Sequence, residues 1–201
     1  MKNLLSLILL LSFTIKAQDV KIGTQTWSTK NLDVSKFRNG EAIPFAKTDA
    51  EWNSAGENMK PAWCYYENKT ANGTKYGKLY NWYAVNDARG LAPTGYHIPS
   101  EEEWMTLSDN LGNEAGTKMK STTGWNNPGN GTNTSGFAGL PGGFRNYNGS
   151  FFDIGTFGGW WSSSEGSTDS AWYRNLSSYY GSVFSYSNYK RNGLSVRCLR
   201  D

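Results

Sequence analysis

Ile98-Pro99-Ser100-Glu101-Glu102-Glu103-Trp104-Met105-Thr106-Leu107-Ser108-Asp109-Asn110-Leu111-Gly112 is the stretch on which the reading of the fold turns. Ser100 stands where a helix N-cap belongs, and Glu103, three residues on, completes a capping box. Three carboxylates in the first turn suit the positive end of the helix dipole. Trp104, Leu107 and Leu111 recur at i, i+3 and i+7, the period of one buried helical face, and Gly112 is a stop signal. Three adjacent glutamates also invite a catalytic-acid or metal reading. Helix-start electrostatics is the simpler account.

Away from this helix the chain is dominated by turns. Upstream, Val20-Lys21-Ile22 and Thr26-Trp27 flank Gly23-Thr24-Gln25, the pattern of a short hairpin. Thr48 with Glu51 is a second capping box, but Asn53 and Gly56 predict an early stop. Leu79, Trp82 and Tyr83 follow Gly77 at helical spacing and predict a helix of roughly ten residues ending before Gly90. Downstream, Gly124 to Gly136 is a long polar loop rich in Asn, Thr and Gly. Its oxygens are candidate ligands for Ca²⁺, but it holds no carboxylate, which favours plain turn chemistry. Beyond it, antiparallel strands are expected at Phe137–Leu140, Trp160–Ser163, Ala171–Leu176, Ser182–Tyr186 and Leu194–Leu199.

Composition narrows the function classes. Among 201 residues there are 23 Gly and 9 Trp, with 15% aromatic and 18% charged residues. That much aromatic surface excludes a disordered chain, and the Gly and Ser content excludes a helical bundle. The net charge is +3. This near-neutral balance leaves no electrostatic footprint for nucleic acid. A single His excludes a multi-histidine metal site within the chain.

Lys2, the apolar run Leu4–Leu11 and the small residue Ala17 read as a secretory leader over residues 1–17. The run is shorter than the roughly 20 residues that a membrane span needs. Residues 18–201 are then expected to form one exported, non-membrane-spanning domain, in the periplasm or outside the cell. Export bears on Cys64 and Cys198, which lie 134 residues apart. An oxidising compartment favours a disulfide between them, which the chain-entropy model values at about 4–5 kcal/mol at most. Two buried free thiols are the alternative. With His97 as the sole histidine, neither cysteine has an evident catalytic base.

Five segments stand in an order that identifies a resemblance. They are Gly77–Val85, Pro93–Ser100 with Glu103-Trp104, Leu140–Arg145, Trp161–Ser164 and Val196–Asp201. In this order and spacing they closely resemble the Fibrobacter succinogenes major paralogous domain family, across about residues 20–201. More distantly, Ile98–Ser100 with Glu103-Trp104 and the C-terminal strand resemble the formylglycine-generating enzyme superfamily, whose fold is C-type-lectin-like. The resemblance implies an α+β, C-type-lectin-like domain with two or three short helices and a twisted antiparallel sheet. It also implies a bacterial, exported protein with no established reaction. Enzymatic members of the superfamily use a cysteine pair with copper. Here Cys198 sits in a framework strand, so no catalytic residue carries over. The Glu-Pro-Asn motif of calcium-dependent lectins is absent as well, and no cofactor is expected.

One window remains as a candidate surface. Residues 160–192 hold ten Ser, five Tyr and three Trp, a palette similar to that of antibody paratopes. Such a segment is too polar to be wholly core, so some of its rings are expected at the surface. Lectin-like proteins diversified by retroelements carry their ligand surface on the equivalent region. Trp161 and Trp172 are expected in the core. Tyr173, Asn175, Tyr179, Tyr180, Ser182, Phe184, Tyr186 and Asn188 form the expected ligand surface. The functional expectation is a non-enzymatic module that binds a glycan or a surface protein at the bacterial cell surface. A structural subunit of a larger cell-surface or outer-membrane complex is the alternative, and an enzyme is disfavoured.

Overall fold

A computed structural model describes residues 19–201; the expected leader, residues 1–17, lies outside them. The architecture mixes short helices with antiparallel sheets. The first hairpin pairs β1 (Asp19–Ile22) with β2 (Gln25–Ser28). The short strands β3 (Trp63–Cys64) and β4 (Leu79–Tyr80) pair with each other. β5 (Tyr96–His97) precedes the main helix. A ribbon of β6 (Gly142–Arg145) and β7 (Phe151–Ile154) leads into β8 (Phe157–Glu165), β9 (Ser170–Ser177) and β10 (Phe184–Tyr189), a three-stranded sheet with β9 in the middle. The last strand, β11 (Leu199–Arg200), inserts between β2 and β5.

Five α-helices are present among the described residues, more than the two or three expected. α1 (Asp49–Glu57) forms both halves of its Thr48–Glu51 capping box, then runs through Asn53 and Gly56. Packing overrides propensity there: Trp52 is buried, and Gly56 lies so close to Arg191 that a Cβ would meet its side chain at 3.0 Å. α2 (Thr70–Tyr76) and α5 (Ala115–Met119) had no clear sequence signal. The ten-residue helix expected after Gly77 is instead strand β4 followed by α3 (Trp82–Val85). Asn81 divides them, because its side chain caps α3 at Ala84 N and also accepts from Ala62 N. α4 (Glu101–Leu111) is as expected, with the reciprocal Ser100–Glu103 cap and Gly112 at φ 62° ending it.

Two other strand expectations need correction. Phe137–Leu140 makes only one bridge, Gly139 to Lys120. Of Leu194–Leu199, only Leu199 is in a regular strand. Leu194 bridges Tyr80 and Ser195 bridges Trp160, so the segment ties several small sheets together rather than extending one. Every residue from 192 to 199 is buried, which removes the one-faced alternation that a surface strand would show.

The core falls into three clusters, each built around tryptophans. Trp27, Trp104, Phe137 and Trp160 meet beneath α4, with ring centroids 4.6–5.9 Å apart. Trp161, Ala171, Leu194 and Val196 lie in a second cluster with Tyr80 and Trp82. Trp52, Cys64, Tyr66 and Leu79 form the third. Trp161 is fully buried as expected, whereas Trp172 is only half-buried. Cys64 and Cys198 are both free and buried, in different clusters. The structure thus corrects the expected disulfide in favour of two thiols.

Candidate functional site

Strand register assembles the site. Tyr186 faces Tyr173, which faces Trp161; Phe184 faces Asn175, which faces Gly159; Phe157 faces Ser177. Alternation therefore puts Phe184, Tyr186, Tyr173 and Phe157 on one face of the sheet. Trp160, Arg174 and Leu176 take the opposite face, against α4 and the first hairpin. Gly159 is what lets the rings close up. A Cβ there would lie 2.4 Å from the Phe157 ring and 3.0 Å from the Leu194 side chain.

The β6–β7 ribbon extends this face with a directly paired Phe144 and Phe152. The result is a continuous belt of seven rings. Centroids are 5.5 Å apart for Phe152–Phe144, 5.4 Å for Phe144–Phe157, and 6.2 Å for both Phe157–Tyr173 and Tyr173–Tyr186. Tyr186–Phe184 follows at 5.9 Å, nearly parallel, and Phe184–Tyr180 at 5.5 Å. All lie within the range of favourable ring contacts. Tyr180 is 59% exposed, Tyr186 50% and Phe152 42%, while the four rings between them are half-buried. Burial, then the neighbouring Tyr186, raises the Tyr173 pKa above its ordinary value, so its hydroxyl stays protonated.

The turn carrying Tyr179 and Tyr180 is held from below. The buried Lys120 ammonium donates to Ser177 O and Tyr180 O, both at 2.9 Å. Thr117 N donates to Gly181 O at 3.0 Å. Burial pulls the Lys120 pKa below its usual value. On the reverse face, Glu101 accepts from Arg174 at 2.6 and 2.7 Å and from the Ser185 hydroxyl at 2.7 Å, locking β9 and β10 to the start of α4. The rings therefore sit on a stiff backing.

The expected surface residues are not all equivalent. Tyr173, Phe184, Tyr186 and Tyr180 are brought together in the belt. Tyr179, 73% exposed, and the exposed Ser182 belong to the turn beside it. Asn175 is buried, with only 7% exposed, and lies beneath the rings instead of on the surface. Asn188 is half-buried and accepts from Asn192 Nδ2 and Tyr189 N, a structural duty. Phe144, Phe152 and Phe157 were missed. Their aromatic character was the available signal, but no expected strand covered positions 141–159.

The histidine, the cysteines and the polar loop are each engaged by their own neighbours. His97 lines a cleft of about 740 Å³ with Arg38, Leu91, Glu102 and Ser163. Its Nε2 meets Glu103 at 2.9 Å and its Nδ1 meets Asp201 at 2.8 Å, so both ring nitrogens are engaged by carboxylates. Neither is left as a lone pair for base catalysis or metal binding. Burial lowers the His97 pKa, but the bonds and charges of Asp201 and Glu103 outweigh it and raise the value overall. Arg38 is tied to Ala92 O and Tyr96 O. Burial pushes both thiols up to about 12, far from the thiolate form that nucleophilic chemistry uses. In the polar loop, Asn130 Oδ1 accepts from Trp125 N and Asn133 Oδ1 from Ala138 N, which is turn chemistry rather than a cation cage. No cluster of three or more His, Cys, Asp or Glu with metal-binding geometry exists among the described residues. No helix among them is long and apolar enough to cross a membrane.

The family model described as the Fibrobacter succinogenes major domain matches residues 20–200, the family to which the order of the motifs had pointed. No curated protein and no solved structure matches the chain.

Proposed function

The chain belongs to the Fibrobacter succinogenes major domain family, and on that premise we propose that it is an exported, non-catalytic binding module that recognises a glycan at the bacterial cell surface. The observation that carries the reading is the seven-ring belt. Its rings come from five strands and a turn, so no single segment requires them to meet. Neighbouring aromatic rings exposed at a domain surface commonly mark a contact site. Tyr rings offer a flat apolar face with a hydroxyl at the tip, and Ser182 and Tyr179 add hydrogen-bonding groups beside them. This combination suits a ligand with alternating apolar faces and hydroxyls. We further read the fold as C-type-lectin-like. The closing of one sheet by the first hairpin and the last strand supports this, as does the shortness of the helices around small antiparallel sheets.

The test is a glycan array probed with the wild-type chain and with the Tyr180→Ala/Tyr186→Ala variant. Both rings are exposed, so folding should be unchanged. Removing two contact rings at about 1.4 kcal/mol each predicts a loss of roughly a hundredfold in affinity. A blank array from folded wild-type protein rejects the glycan reading. A protein partner captured by wild type and lost by the variant would make the belt a docking face in a larger surface complex.

A further inference from the structure

Arg197 is an unusual buried cation. It is 1% exposed, and its guanidinium lies 4.2 Å from the Phe137 ring centroid. Nε donates to Asn31 Oδ1 at 3.0 Å, and Nη1 to Ser28 O at 2.9 Å and Phe137 O at 2.6 Å. Nη2 has only a long contact, 3.5 Å to Ala138 O. The other two buried arginines each have a carboxylate, Arg145 with Asp49 at 3.0 Å and Arg174 with Glu101 at 2.6 Å. Arg197 has none among the described residues. Burial pulls its pKa down to about 9, which leaves it charged at neutral pH. A buried charge held only by dipoles remains electrostatically favourable ground for an anion.

This arginine lines a cleft of about 420 Å³ that also takes in Lys30, Asn31, Thr74 and Lys75. Asp33 is the one carboxylate there, and it is already engaged by Lys78 Nζ at 2.5 Å. The cleft therefore carries uncompensated positive charge from Arg197, Lys30 and Lys75, in a protein with little net charge. Its volume falls within the range of small-ligand sites. We propose that this cleft binds a small organic carboxylate of monosaccharide size, with its anionic head on the Arg197 guanidinium and with Lys30 and Lys75 as flanking cations.

The site shares no residue with the aromatic belt, and the two stand or fall separately. A direct reporter is available. Trp160 Nε1 donates at 2.8 Å to Asn31 Oδ1, the same oxygen that accepts from Arg197. Titration with sodium D-glucuronate, and with D-glucose as the neutral control, is followed by the NMR cross-peaks of the Trp160 indole N–H and the Arg197 Nε–H. Saturable shifts are expected with glucuronate and none with glucose. The exposed-lysine variant Lys30→Gln/Lys75→Gln keeps the fold and should weaken binding at least tenfold, as should raised salt. Tyr180→Ala/Tyr186→Ala should leave it unchanged. Equal shifts with glucose, no shift at all with glucuronate, or full affinity in the lysine variant would each overturn the assignment. Arg197→Lys adds a second check: if it folds, it should bind glucuronate more weakly, since an ammonium does not reproduce the spare Nη2 donor that Arg197 keeps once Nε and Nη1 are engaged.

Discussion

Lys120 shows how a single buried side chain shapes a surface it does not reach. Its ammonium holds the two carbonyls that fix the Tyr179–Tyr180 turn. Lys120→Met keeps the apolar stem but leaves Ser177 O and Tyr180 O without their donor. We expect a loss of about 1–3 kcal/mol in unfolding free energy, together with faster amide exchange at residues 179–181. Unchanged exchange there would show that Thr117 alone suffices to hold the turn. His97 gives a pH signature. Its folded-state pKa is raised above the ordinary 6.5, so its contribution is full below about pH 6.5 and is lost as pH rises through the folded-state value. The denaturation midpoint of wild type should therefore exceed that of His97→Gln most at pH 5.5, and the gap should narrow by pH 8.5. A gap that widens with pH would contradict the carboxylate pairing. At this scale the sequence was informative about residues whose duty is local, such as Ser100 and Glu103. It was silent on Lys120 and Arg174, whose bonds to Ser177 O and Glu101 span 57 and 73 positions of the chain.

Among the elements, legibility followed the same divide. α4 was readable because a capping box, an i, i+3, i+7 face and a terminal glycine agree, and its packing does not contradict them. The helix expected after Gly77 failed because Asn81 serves two backbone N–H groups from different segments, a demand invisible to periodicity. The strands expected at Trp160–Ser163, Ala171–Leu176 and Ser182–Tyr186 fall on or across β8, β9 and β10. The β6–β7 ribbon was not placed, since Pro141, Gly142 and Gly143 carry no strand propensity. Of the candidate site, the C-terminal rings were legible, but the belt was not. Phe144 and Phe152 join it through a strand pairing that only the three-dimensional register supplies. Gly159 provides the test of belt assembly. In Gly159→Ala the new Cβ would sit 2.4 Å from the Phe157 ring. The ring must swing out, at about 1–3 kcal/mol in stability, and the chain of contacts should break at its centre. Chemical denaturation and ligand binding should both register this; a variant with wild-type stability would mean that Phe157 has room to move that the packing does not suggest.

For the molecule as a whole, three tryptophan-centred clusters provide the stability that a crosslink was expected to supply. The two cysteines occupy different clusters, each closed over by its own neighbours. Ellman's reagent should titrate two thiols in denaturant and essentially none in the native protein, and the unfolding midpoint should be the same with and without reductant. Two thiols missing in denaturant, recovered on reduction, would restore the disulfide. The four-stranded sheet holds a different lesson. Its order is β1-β2-β11-β5, so Leu199 stands between Trp27 and His97. During synthesis the first hairpin emerges early and waits for its neighbour until Leu199 has been made. The sheet therefore cannot close while the segments between β2 and β11 are still being added. Its closing is a late, long-range event, and a chain cut before Leu199 should leave the edge of β2 open.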